Sequence, residues 1–158
     1  MDFSQGYYDV DQALVSVQGS PIATATSLEE LKDASLGTPI GTTSLSYIQD
    51  NIQPSTQPTV YDDLSAAVQG LEDGEVDGIV VDLPRASFIT RAQIPEAVIV
   101  GRLPTTGPQA YFAMAFDKGS PLVECVNLAL REMKDDGTLD EIRQEWLADT
   151  ADPPMIET

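Results

Sequence analysis

The chain has 158 residues, of which 42% are hydrophobic and 22% charged, and its 26 Asp plus Glu against 8 Lys plus Arg leave a formal net charge of -18. That length holds one ordinary domain with a core, and so acidic a surface repels phosphate backbones and anionic membranes, so no nucleic-acid partner is expected. With no His and a single cysteine, Cys125, a Ser-His-Asp or Cys-His relay, a His-bearing zinc site and an intramolecular disulfide are all excluded, and no metal or other cofactor is expected.

The opening residues, Met1 to Gln18, include Asp2, Asp9 and Asp11 where a signal peptide would carry basic and then apolar residues. They lead into Ala13-Leu14-Val15-Ser16-Val17, a β-prone run broken by Gly19, Ser20 and Pro21. Ser27 stands where an N-cap would, ahead of Glu29 and Glu30, and predicts a short helix. Leu36 to Ile40 reads as a strand closed by Gly41, with Thr42-Thr43-Ser44 opening the next helix. Thr59-Val60-Tyr61 is short enough for a buried strand, and Leu64, Ala67, Val68 and Leu71 recur at helical spacing behind Asp62 and Asp63. Gly78-Ile79-Val80-Val81 is the continuous apolar run of a strand covered on both faces, ended by Asp82, and Pro84 suits the first turn of a helix. Ala97 to Val100 and Tyr111 to Phe116 supply further strands. Two helices follow, from about Pro121 to Asp135 and from about Leu139, and the tail from Ala148 with Pro153 and Pro154 is expected to fray. Short apolar strands alternating with helices predict an α/β fold with a largely parallel sheet. No apolar run reaches the ~20 residues of a membrane helix.

Three groups of residues invite a chemical role. Asp73-Gly74-Glu75-Val76-Asp77-Gly78 begins like a calcium loop, but its twelfth position is Pro84 where a bidentate Glu is required, so it reads as a solvated turn. Gly41-Thr42-Thr43-Ser44 combines helix-start N–H groups with hydroxyl donors that suit a carboxylate; taken alone, it reads first as an ordinary cap. Asp82, at the C-terminal end of a strand where open α/β sheets place ligands, would pair with an ammonium group or cap the helix near Pro84. Together the two would suit a zwitterion such as a free amino acid. Cys125 and Trp146 read as packing residues of the last two helices.

The order of these pieces resembles the amino-acid solute-binding proteins of ABC importers, a two-lobed family with the type II periplasmic binding fold. The resemblance is carried by Asp2-Phe3-Ser4-Gln5-Gly6-Tyr7-Tyr8, Gly41-Thr42-Thr43-Ser44, the run from Val76 to Pro84, Phe116-Asp117-Lys118-Gly119-Ser120, and Asp136-Gly137-Thr138-Leu139 with Trp146. It implies that residues 1–18 are the last strand of a first lobe with the outgoing hinge, 19–108 a complete second lobe, 109–150 the return hinge and the closing helices of the first lobe, and 151–158 a frayed tail. It further implies that Thr42 and Thr43, with Ile40 and Gly41 of the same turn, meet a ligand carboxylate and that Asp82 meets its ammonium. The implied protein is not an enzyme; it is periplasmic or extracellular and hands an amino acid to an ABC permease. The same fold also serves cyclohexadienyl dehydratases and the sensor modules of receptors. Pro39, two before Gly41, offers no donor where the family often has a polar contact. With most of one lobe missing, the chain is expected to homodimerise or swap elements.

Overall fold

Alternate residues of two adjacent strands point to opposite sides of one sheet, and each side carries its own core. In β3 (Gln12–Val17) Leu14 faces one way and Ala13 and Val15 the other; in β6 (Gly78–Asp82) Val80 faces with Leu14, and Ile79 and Val81 with Val15. This is the period-two alternation of a pleated strand, and burial on both faces is why the run at 78–81 contains no polar residue. The computed structural model describes residues 1–147 and 153–158. They fall into two units, one made of Met1–Val10 with residues 109–147, the other of Asp11–Pro108 with residues 153–158.

The second unit is built on a five-stranded sheet in the order β5-β4-β6-β3-β7, with β4 at Leu36–Pro39, β5 at Thr59–Tyr61 and β7 at Ala97–Arg102. β4 pairs in parallel with β5 and β6, whereas β3 is antiparallel to both of its neighbours, β6 and β7. The sheet is therefore largely parallel, with one reversed strand inside it. One face is covered by α1 (Thr43–Tyr47), which runs on as a wide helical turn over Ile48–Ile52, and by the segment around Ile22, Leu28 and Leu31. The other face is covered by α2 (Leu64–Glu72) and by α3 (Leu83–Phe88), which also widens over Ile89–Gln93.

Three local expectations are corrected in this unit. Ser27 caps nothing: the helical turn is Glu29–Leu31, preceded by Leu28, and Ser27 instead bridges Glu157. The strand at Thr59–Tyr61 is an edge strand with Thr59 and Val60 exposed, because only β4 flanks it. The tail does not fray over 153–158. Ile156 is 1% exposed within the core, its N–H donates to the Arg102 carbonyl at 2.8 Å, the Arg102 N–H donates to Pro154 O at 2.9 Å, and Glu157 exchanges bonds with Thr26 and Leu28. Gly101 makes room for this: a Cβ there would stand 2.7 Å from both Ile156 Cγ1 and Pro154 O. Met155 and Ile156 alone among prolines and polar residues carry no periodicity, so only the sheet edge reveals the role of Ile156. Residues 148–152, including the expected continuation of the last helix to 150 and the start of the expected tail, lie outside the described residues.

The first unit pairs β1 (Asp2–Phe3) with β9 (Ala115–Phe116) and β2 (Tyr8–Val10) with β8 (Ala110–Phe112), both antiparallel, beside α4 (Leu122–Asp135) and α5 (Thr138–Leu147). The single strand expected over 111–116 is two strands, separated where Ser4 and Met114 exchange bonds of 2.9 Å through the Ser4 hydroxyl and backbone. Gln5 holds Asn127 of α4 by two bonds, of 2.7 and 3.1 Å, and Lys134 Nζ donates to Gly6 O at 2.8 Å. The expected packing of Cys125 and Trp146 is corrected: Cys125 is exposed and Trp146 is 73% exposed. Among the described residues, Val10 and Leu130 are the buried hydrophobics of this unit, so the apolar stripes of α4 and α5 have little to close on within it. β3 belongs to the sheet of the second unit, and the chain passes between the two compact units at Val10–Asp11 and again at Pro108–Gln109.

Candidate functional site

The parallel pairing of β4 and β6 brings two sequence-distant segments to one rim. Leu36 stands opposite Gly78 and Gly37 opposite Ile79, so the strands finish at the same edge, β4 running into the turn at Ile40–Gly41 and β6 into Asp82. A depression of about 190 Å³ opens there, lined by Pro39, Thr42, Thr43, Ser44, Val81, Asp82 and Arg85. Thr42, Thr43 and Asp82 thus share one site. Gly41 and Ile40 belong to the turn that enters it, exposed and outside the lining residues.

The turn is held from below. Thr38 is fully buried, donates through Oγ1 to Val80 O at 2.9 Å, and lies 3.4 Å from Thr42 Oγ1. Gly41 adopts φ 70°, a left-handed backbone that a side chain would strain, and so lets β4 reverse into α1. Thr42 is the N-cap of α1: its Oγ1 donates to Pro39 O at 2.8 Å and accepts from the Leu45 N–H at 3.3 Å. One residue thus both caps the helix and lines the depression. The N–H groups of Thr43 and Ser44 open the helix, where no earlier turn supplies an acceptor.

Asp82 likewise caps α3, its Oδ1 accepting from the Arg85 N–H at 3.1 Å. Its second oxygen is 3.1 Å from Arg85 Nε. The two side chains differ sharply in exposure, 16% for Asp82 and 53% for Arg85. Burial pushes the Asp82 carboxyl above the usual carboxylate range, although the Arg85 N–H and the guanidinium charge pull it down.

Two participants were missed at the sequence level. Gln12 stands opposite Asp82 in the sheet, and its side chain donates to Thr43 Oγ1 at 3.4 Å and accepts from the buried Ser44 hydroxyl at 2.5 Å. It ties the turn to the strand that ends in Asp82. Only the antiparallel insertion of β3 beside β6 brings it there, and nothing around Gln12 signals that pairing. Arg85, three residues after Asp82 at a helix start, carried a legible signal, since that spacing puts a cation beside the capping carboxylate.

The acidic turn at 73–78 has a structural role: Asp77 Oδ2 accepts from both the N–H and the hydroxyl of Ser35 at 2.8 Å, and its carbonyl accepts from Ser16 and Ser20. Among the described residues no cluster of three or more His, Cys, Asp or Glu is placed to hold a metal, and no helix is long and apolar enough to cross a membrane.

Residues 1–149 match the model of the bacterial extracellular solute-binding proteins, family 3. The L-cystine-binding protein TcyJ of Escherichia coli (strain K12) is 29% identical over 147 residues, covering 92% of this chain and 53% of the relative. Among solved structures, an ancestral arginine-binding protein bound to glutamine is 33% identical with a TM-score of 0.73, covering 92% of this chain and 63% of that one. An ancestral amino acid-binding protein that is a precursor of cyclohexadienyl dehydratase is 27% identical with a TM-score of 0.69, covering 92% and 60%. The chain belongs to the bacterial extracellular solute-binding proteins, family 3, and shares the type II periplasmic binding fold of its structural neighbours. It spans little more than half the length of the curated relatives it matches.

Proposed function

We propose that this member of the family contributes one wall of an amino-acid site, and that the whole protein captures a zwitterion between two lobes and delivers it to an ABC permease outside the cytoplasm. The turn of Ile40, Gly41, Thr42 and Thr43 meets the ligand carboxylate and Asp82 meets its ammonium. The observation that carries this reading is the shared depression at the ends of β4 and β6, which holds the Thr43 hydroxyl and the first-turn N–H donors of α1 together with a half-buried carboxylate. Donors for an anion and an acceptor for a cation on one depression suit a molecule that carries both charges. A ligand lacking one of them leaves a desolvated partner unpaired, at roughly 1 to 3 kcal/mol. Pro39 and Val81 supply apolar lining between these groups, which suits a ligand side chain of modest polarity.

Calorimetry on the whole protein tests this: Asp82→Ala abolishes amino-acid binding, and an unchanged affinity refutes the assignment. The likeness to a precursor of cyclohexadienyl dehydratase keeps one catalytic alternative in view, and turnover of prephenate or arogenate by the whole protein would favour it. The exposed residues Leu122, Leu128, Ile142 and Trp146 of α4 and α5 support a second proposal, that two copies of this chain cover these faces mutually. A monomeric mass in multi-angle light scattering counts against it.

A further inference from the structure

Both oxygens of Asp82 are occupied by one residue. Oδ1 takes the Arg85 backbone N–H and Oδ2 takes the Arg85 guanidinium. Asp82 and Arg85 are also the charged residues lining the depression, so the chain itself supplies a cation to this carboxylate. The two bonds differ in what it takes to break them. The backbone bond is a helix cap and persists as long as α3 does. The guanidinium sits on a half-exposed side chain that can move into water, where an exposed ion pair contributes little to stability. Oδ2 is therefore the position an incoming cation can take.

We propose that Arg85 is the resident counter-ion of Asp82, and that a ligand's ammonium binds by displacing it, so that Arg85 sets the affinity of the ammonium subsite. This deepens the amino-acid reading above and rests on it. The exchange conserves charge, one cation leaving Oδ2 as another arrives, so no bare carboxylate is buried at any stage. The released guanidinium remains on α3 beside the depression. A ligand that carries a further cation meets the displaced guanidinium there as a like charge.

The test is an NMR titration of the whole protein with L-glutamine, comparing the parent sequence with Arg85→Ala, Arg85→Lys and Asp82→Asn. Arg85→Ala keeps the cap and removes the competitor, so L-glutamine should bind about two- to fivefold more tightly, the range an exposed ion pair allows. Arg85→Lys should return the affinity to that of the parent, Asp82→Asn should lose the response, and the Arg85 Nε resonance should move toward that of free arginine on saturation. If the amides of residues 41–45 respond but Arg85→Ala binds no more tightly, or Arg85→Lys behaves like Arg85→Ala, the exchange is wrong while the amino-acid reading stands. If these amides respond in no variant, the amino-acid reading fails and the exchange falls with it.

Discussion

The two units divide their residues in opposite ways. In the second unit a sheet is sandwiched between two apolar layers, with Leu14, Ile79 and Val80 fully buried. In the first, two short ribbons and two helices leave Phe3, Tyr111, Leu122, Leu128 and Trp146 largely exposed, and the ribbons are tied to α4 by hydrogen bonds such as those from Gln5 to Asn127. The difference teaches where stability originates. Burial of apolar area dominates folding, so the second unit should carry most of the free energy, and the first should report mainly on what covers its surface.

The comparison breaks most plainly at matched truncations. Ile79→Ala, at a site with no exposure, should cost about 2 to 5 kcal/mol in urea unfolding, whereas Trp146→Ala should stay within about 0.5 kcal/mol despite removing a larger side chain. Equal losses at the two sites would mean that α5 is packed as firmly as β6. Next in size is the tail. Ile156→Ala should cost about 2 to 4 kcal/mol in the same measurement, and a negligible loss would restore the frayed tail that the sequence suggested.

How far the fold was legible follows from which forces set each part. The β-prone run of β3, the continuous apolar run of β6, the apolar spacing of α2 and the switch from strand to helix at Asp82 are local patterns, and they appeared in place. The rim that brings Thr42 and Asp82 together was legible for the same reason: parallel strands followed by helices end at a common edge. What stayed hidden depends on partners distant in sequence. Gln12 reaches Thr43 and Ser44 only because β3 inserts beside β6. Ile156 becomes core only because the sheet edge at Arg102 receives it. Trp146 lies on a helical stripe of the kind that usually marks a buried face, but a stripe says nothing of whether an opposing surface is present.

The smallest effect sharpens the comparison within the second unit, between its core and its rim. Burial raises the Asp82 carboxyl above its ordinary value of 3.8, so the folded chain takes up this proton at a higher pH than the unfolded chain does. The Asp82 contribution to stability therefore improves as pH falls from the raised native value to the unfolded one, and is least favourable at neutral pH. Asp82→Asn keeps an N-cap acceptor and removes the buried charge, and should be neutral to about 1 kcal/mol more stable at pH 7, because the exposed Arg85 pairing lost with it contributes little. That gain should vanish in unfolding experiments below the unfolded value. A loss of stability at pH 7 that persists in acid would show Asp82 to be a structural residue, not one kept at the rim against the interest of the fold.

The central claim, that one sheet rim attracts both ends of a zwitterion, is tested most directly by mapping amide shifts of the whole protein during titration with free amino acids. The account predicts that the responding amides cluster in two stretches, residues 41–45 and 82–85, and that the same compounds blocked at either the amino or the carboxyl group leave them unmoved. Responses confined to other parts of the chain, or undiminished by blocking one end, would contradict it.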